Sequence, residues 1–318
     1  IELRLEKMGS REMYLAVLDG ERSPDLMSPA SSLQVSLLQD LSTQRFGQPL
    51  VNQFDEEQCQ SVVESPIVIV AWEERANALW GTDPGADLWD ALFEALTNPE
   101  GWAAYGRPEW GFVKFSHTDP LRSNSGFQTL VLMTYNYHGK MAGLTSEDIL
   151  ADEAFQQWLI AFEGSITEFG DSTGTYMEEI IAFGPSLHDM VAVYEATAIE
   201  QAENARGRYG NLVVYYPPAT HVSDHPFCIL DADWVTPEQA QAARLFMDMM
   251  LSPEAQELAL LSYGFRPVDP TIDVSQPGSP LVRYQENGFR LTIPPEVETP
   301  SGSVLQTLLD FWSRNIAR

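Results

Sequence analysis

The chain is short of positive charge. Its 318 residues hold 18 lysines and arginines against 46 acids, a net charge of −28. Lys7, Lys114 and Lys140 are its only lysines. Cationic side chains supply most of the affinity for nucleic-acid phosphates, so no nucleic-acid partner is expected. Docking on anionic lipid is disfavoured on the same ground. Cysteine is scarce as well. Cys59 and Cys228 allow one disulfide at most and match no zinc spacing such as C-x-x-C. Cys228 sits in the apolar run Pro226-Phe227-Cys228-Ile229-Leu230, which predicts a buried free thiol, a bridge to Cys59 being the alternative. Long hydrophobic runs are missing too. The longest, Pro66 to Trp72, falls far short of the roughly 20 residues a spanning helix needs. No G-x-S-x-G elbow, Walker A loop, G-x-G-x-x-G turn or H-E-x-x-H pair occurs. No spacing singles out a catalytic pair among the many acids, and no cofactor is expected.

What is present is a globular composition, 44% hydrophobic and 20% charged. The length fits two lobes of roughly 150 residues each. Strand and helix signals alternate from the start. Ile1, Leu3 and Leu5 share one face of a predicted strand, with Glu2, Arg4 and Glu6 on the other. A helix follows Gly9-Ser10, a short strand covers Pro24 to Ser28, and a helix carries Leu33, Leu37, Leu38 and Leu41 on one face. Strand, crossover, strand is the unit of a parallel sheet flanked by helices. Ile67–Ala71, Met190–Tyr194, Leu212–Tyr216 and Phe227–Leu230 read as buried strands, apolar without alternation. Helices are predicted from Ser123 to about His138, from Thr145 to about Phe162, after Thr236-Pro237 and Ser252-Pro253, and from about Val304 to Ile316. The tryptophans Trp72, Trp80, Trp89, Trp102 and Trp110 lie among turn residues and suit core packing better than a sugar or amine platform.

Chemistry concentrates at helix starts. Gly9-Ser10, Ser28 with Ser31-Ser32, Ser123-Asn124-Ser125-Gly126 and Ser172-Thr173-Gly174 each lead into a helix. A helix start presents unpaired N–H groups and about half a positive charge, so hydroxyls and glycine there suit an oxygen-rich ligand. In an open α/β sheet such positions converge at the carboxyl edge of the strands. Ordinary helix capping by serine and asparagine explains any one of these clusters equally well. His117, His221, Asp224 and His225 lie in loops and, with Glu195, form a candidate metal site; structural hydrogen bonding is the plainer reading.

Several ordered stretches resemble one family. Phe115-Ser116-His117-Thr118-Asp119-Pro120 through Gly126 looks like the second-lobe ligand loop of bacterial extracellular solute-binding proteins. Asp189 to Tyr194-Glu195 resembles their return strand. Ser223-Asp224-His225-Pro226, Trp234-Val235-Thr236-Pro237 and Gly264-Phe265-Arg266-Pro267 resemble the passage back to the first lobe and its helices. The resemblance implies an α/β, two-lobe, type II periplasmic binding fold with two crossing strands, here Ile67–Ala71 and Pro226–Leu230. The first lobe would take 1–70 and 220–318, the second 71–219. It implies capture of a small polar solute, an oxyanion, sugar or cation, for ABC-type uptake or sensing, without catalysis. Ser10 and Ser28 would serve from the first lobe, Ser123, Asn124, Ser125, Thr173 and Tyr194 from the second, and Glu195 would favour a cation or amine. The subgroup preceding a von Willebrand factor A domain is the most similar. The implied partner is a membrane permease or such a domain, outside the cytoplasm, with membrane tethering an option. Against the family pattern, the chain opens at what reads as the second strand and without a start methionine, as a processed or trimmed chain would. A ligand-free interaction domain and a metal-dependent hydrolase are the alternatives.

Overall fold

The computed structural model describes residues 2–81 and 84–317. In chain order, α1 (Ser10–Leu18), β1 (Leu26–Met27), α2 (Ser32–Phe46), β2 (Cys59–Ser61), β3 (Val63–Trp72), α3 (Glu73–Trp80) and α4 (Leu88–Thr97) come first. Next are β4 (Phe115–Ser116), α5 (Asn124–Tyr137), α6 (Ser146–Leu150), α7 (Glu153–Gly164), α8 (Thr173–Phe183), β5 (Met190–Tyr194), α9 (Glu195–Ala205) and β6 (Leu212–Tyr215). The rest are β7 (Val222–Ser223), β8 (Pro226–Ile229), α10 (Pro237–Met250), α11 (Pro253–Tyr263), β9 (Arg266–Pro267), α12 (Pro280–Arg283) and α13 (Gly302–Asn315).

Two sheets organise these elements. One is a three-stranded sheet in the order β1-β8-β2, and the other runs β4-β5-β3-β6, with β7 and β9 added to β3. The Ile67–Trp72 half of β3 pairs with β5 and β6 and is covered on both faces, which is why its sequence is apolar without alternation. Its Val63–Pro66 half pairs with β9 and β7 instead. The passage between sheets is therefore made by Val63–Pro66 and Val222–Ser223. The two apolar runs expected to cross lie inside the sheets, Ile67–Ala71 in one and Pro226–Ile229 in the other.

Three further expectations are corrected. No strand forms at the start of the chain: Leu3 is 50% and Leu5 82% exposed, because the alternation finds no neighbouring strand to pair with; Ile1 lies outside the described residues. The first sheet is not built of parallel neighbours. β1 and β2 run the same way, but on opposite sides of the antiparallel β8, so α2 crosses over one intervening strand. The helix expected from Thr145 to Phe162 is two. Thr145 forms a capping box with Asp148, and Asp152 then accepts from the Phe155 amide, starting a second helix.

Cys59 and Cys228 face each other across β2 and β8 and are joined in a disulfide, so neither is the free thiol that the apolar run suggested. Such bonds persist in oxidising compartments. The tryptophans are packing residues. Trp72, Trp89 and Trp102 are buried, and the Arg75 guanidinium lies 3.5 Å above the Trp110 ring centre. At the far end, α13 packs on α2 and α6. Its Trp312 Nε1 donates to Glu163 Oε2 at 2.8 Å, and Glu163 Oε1 meets His117 Nε2 at 3.0 Å, all three residues being buried.

Candidate functional site

The helix starts fall into two groups. Thr145, Asp152, Thr236, Ser252 and Ser301 each cap their helix through the side chain. Ser31, Ser123 and Ser172, which precede α2, α5 and α8, do not. Ordinary capping thus fails to explain three of the four clusters singled out in the sequence. Hydroxyls of the α5 and α8 clusters bond one another instead. Ser125 Oγ lies 2.7 Å from Thr173 Oγ1 and 2.8 Å from Thr118 Oγ1, joining the starts of α5 and α8. Ser123 Oγ sits 3.4 Å from the same Thr173 oxygen. On the other side, Ser10 Oγ accepts the Ala30 amide at 3.0 Å and so fixes the turn that leads to α2.

Asn124 ties the two groups together. Its Oδ1 accepts from Ser31 Oγ at 3.0 Å and from Gln34 Nε2 at 2.8 Å. Its Nδ2 donates to Gln128 Oε1 at 3.0 Å and to the Tyr194 hydroxyl at 3.1 Å. Burial pushes the Tyr194 hydroxyl pKa up, so that group stays protonated. The main-chain amides here are the informative atoms. Those of Asn124 and Ser125, on residues 5% and 0% exposed, have no acceptor among the described residues. A buried N–H without an acceptor is rare and costs about 1–3 kcal/mol. At α2, by contrast, the Ser32 amide is taken by Asp224 Oδ1 at 2.8 Å.

Gly126 has a different purpose from the one its sequence position suggested. It admits the protein's own backbone rather than a ligand oxygen. A Cβ there would sit 1.7 Å from the Thr118 carbonyl oxygen, while the Gly126 amide donates to Thr118 Oγ1 at 2.8 Å. Gly126→Ala is therefore expected to cost about 1–3 kcal/mol, since neither backbone can yield cheaply. Gly174→Ala, with nothing within 4 Å, is the near-neutral control. Denaturant titration of both variants checks the contrast.

Two expected residues stand apart from this cluster. The Ser28 side chain makes no hydrogen bond among the described residues. Glu195 is engaged elsewhere. Arg266 Nε donates to its Oε2 and Nη2 to its Oε1, both at 2.7 Å, and the Tyr216 hydroxyl also donates to it. A carboxylate so matched offers no argument for a cationic ligand. The metal alternative weakens for similar reasons. His117 is held by Glu163, His221 by Gln128 and Thr299, and no group of three His, Cys, Asp or Glu residues is placed to hold a metal among the described residues. Sequence reasoning missed Gln34, Thr118 and Gln128. Ser31-x-x-Gln34 has capping-box spacing, which disguises the Gln34 contact with Asn124.

Comparison with known proteins agrees with this architecture. Among curated proteins, none matches the chain significantly in sequence. The fructose-6-phosphate-bound periplasmic binding protein AfuA of Actinobacillus pleuropneumoniae superposes with a TM-score of 0.64 at 15% identity, over 99% of this chain and 90% of that one. Iron-bound HitA of Pseudomonas aeruginosa gives 0.60 at 14%, over 100% and 91%. The sulfate-binding protein SubI of Mycobacterium tuberculosis gives 0.55 at 17%, over 91% and 80%. These likenesses show a two-lobe periplasmic-binding fold. Residues 1–266 match the family model described as bacterial extracellular solute-binding protein, and the chain belongs to that family of binding proteins.

Proposed function

We propose that the chain captures a small oxygen-rich solute between its lobes, at the starts of α5 and α8, and hands it to an ABC-type permease. The observation that carries this reading is the pair of unpaired amides on buried Asn124 and Ser125. They sit at a helix start, where the backbone dipole favours a negatively charged or acceptor oxygen. Ser125, Thr173 and Ser123 supply neutral donors beside them. The lobes are about 1–70 with 220–318, and about 71–219, the passages Val63–Pro66 and Val222–Ser223 lying within a few residues of the joins. Closure swings them about Val63–Pro66 and Val222–Ser223, and Ser31 and Gln34 then meet Asn124. Ser10 acts indirectly, by holding the turn ahead of α2. A tethered form, or a following von Willebrand factor A domain as the receiving partner, fits the same site.

A second reading has an observation in its favour. Ser31, Gln34 and Asn124 already bond one another, as in a domain that keeps the fold without a ligand. Thermal-shift measurements with sulfate, molybdate, phosphate, sugars, amino acids and divalent cations separate the two. A ligand at a hundredfold its Kd adds about 2.7 kcal/mol, which raises the melting temperature by roughly 3–5 °C for a chain of this size. Stabilisation by an oxyanion or sugar supports capture. A flat response to the whole panel would favour the ligand-free domain.

A further inference from the structure

Gln34 is 2% exposed, and its Oε1 has no hydrogen-bond partner. It is the last member of a series of buried side chains joined by hydrogen bonds. His221 Nε2 faces Thr299 Oγ1 at 3.3 Å and its Nδ1 faces Gln128 Nε2 at 2.8 Å. Burial depresses the His221 pKa to about 4, so at neutral pH the ring has one N–H and one acceptor nitrogen. A carboxamide N–H₂ can only donate, so the nitrogen facing Gln128 is the acceptor. The Gln128 oxygen is thereby turned to Asn124 Nδ2, at 3.0 Å. The Asn124 oxygen is in turn left for Gln34 Nε2, at 2.8 Å, and for the Ser31 hydroxyl. Reversing Gln34 would set its oxygen against the Asn124 oxygen. The series therefore ends on a bare acceptor, Gln34 Oε1, beside the residue whose main-chain amide is an unpaired donor.

Resting on the capture reading above, we propose that the solute is an oxyanion that also carries a hydroxyl group. Its anionic oxygens meet the Asn124 and Ser125 amides, and its O–H donates to Gln34 Oε1. Hydrogen phosphate, hydroxy acids and polyol phosphates have both functions. Sulfate and molybdate have acceptors only and would leave the Gln34 oxygen buried and unmatched, which is how a polar site rejects a close analogue.

Calorimetric titration of the whole chain near neutral pH, with sodium sulfate, sodium phosphate and glycerol 3-phosphate, tests this. Both hydroxyl-bearing ions are expected to bind about tenfold or more tightly than sulfate, one hydrogen bond to a buried acceptor being the difference. In Gln34→Leu that ratio should fall towards one. His221→Leu, which leaves Gln34 in place but removes the acceptor that Gln128 Nε2 faces, should shrink it as well. A ratio between ligands is not moved by a loss of stability alone. Sulfate binding as tightly as phosphate in the unaltered protein would overturn this inference while leaving capture at the amides standing. An unchanged ratio in both variants would overturn the assignment to Gln34. Silence from all three ions would remove the oxyanion reading of the cleft and this inference with it.

Discussion

Replacing Cys59 and Cys228 together by alanine is expected to lower the stability of the protein by about 2–5 kcal/mol. The bond closes a loop with a sequence separation of 169 residues. Chain-entropy reasoning puts the upper bound for a loop that long near 5 kcal/mol, most of it from restricting the unfolded chain. The location adds a local reason. β1 has two residues and β2 three, and both lean on β8, so the small sheet has few ladder hydrogen bonds of its own. Both sulfurs are buried, so reduction of the folded protein should be slow and reduction of the unfolded protein fast. Guanidinium titration of the native and double-alanine proteins measures the loss directly. Finding two free thiols in the denatured, unreduced protein would sink the prediction at the outset.

Arg266→Leu should cost about 3–5 kcal/mol, because it strands a buried carboxylate. Arg266 makes both bonds to Glu195 and also donates to the carbonyls of Leu291 at 2.8 Å and Arg290 at 2.6 Å. Removing it leaves Glu195 facing only Tyr216, deep in the packing of α9 against β3. Removing the charge as well should be far milder. Arg266→Leu combined with Glu195→Leu is expected to regain more than half of the loss, since no buried charge is left without its counter-charge and only neutral groups, the Leu291 and Arg290 carbonyls and the Tyr216 hydroxyl, lose a partner. Denaturation midpoints of the single and double variants form the cycle. A single-variant loss below about 1 kcal/mol would mean the pair is solvated rather than buried.

Local signals carried much of the fold. Thr236-Pro237-Glu238-Gln239 and Ser252-Pro253 specify helix starts by chemistry within four residues, and both helices begin there. The run Ile67–Ala71 reads as a buried strand because both its faces are covered. Non-local pairing was not legible. Ile1 to Glu6 alternates as a strand should, but alternation says nothing about whether a neighbour exists. Cys228 looked like a free thiol because the register that sets it against Cys59 depends on strands 169 residues apart. Glu195 looked available because its partner is 71 residues away. The site was half visible. The serine and threonine clusters could be found, but only the structure separates helix starts that are capped from those that are not.

The division of labour along β3 has a mechanical consequence. One continuous strand holds ladder partners from β9 and β7 at one end and from β5 and β6 at the other. Such a rod allows the bodies at its two ends to rotate about its axis, yet it resists sliding, because a slip of one residue would turn every buried side chain outward. In the closure proposed above, opening and shutting are thereby reduced to nearly one degree of freedom. The Ser31 and Asn124 surfaces have little room to meet out of register, and each closure delivers the same constellation of atoms to whatever lies between them.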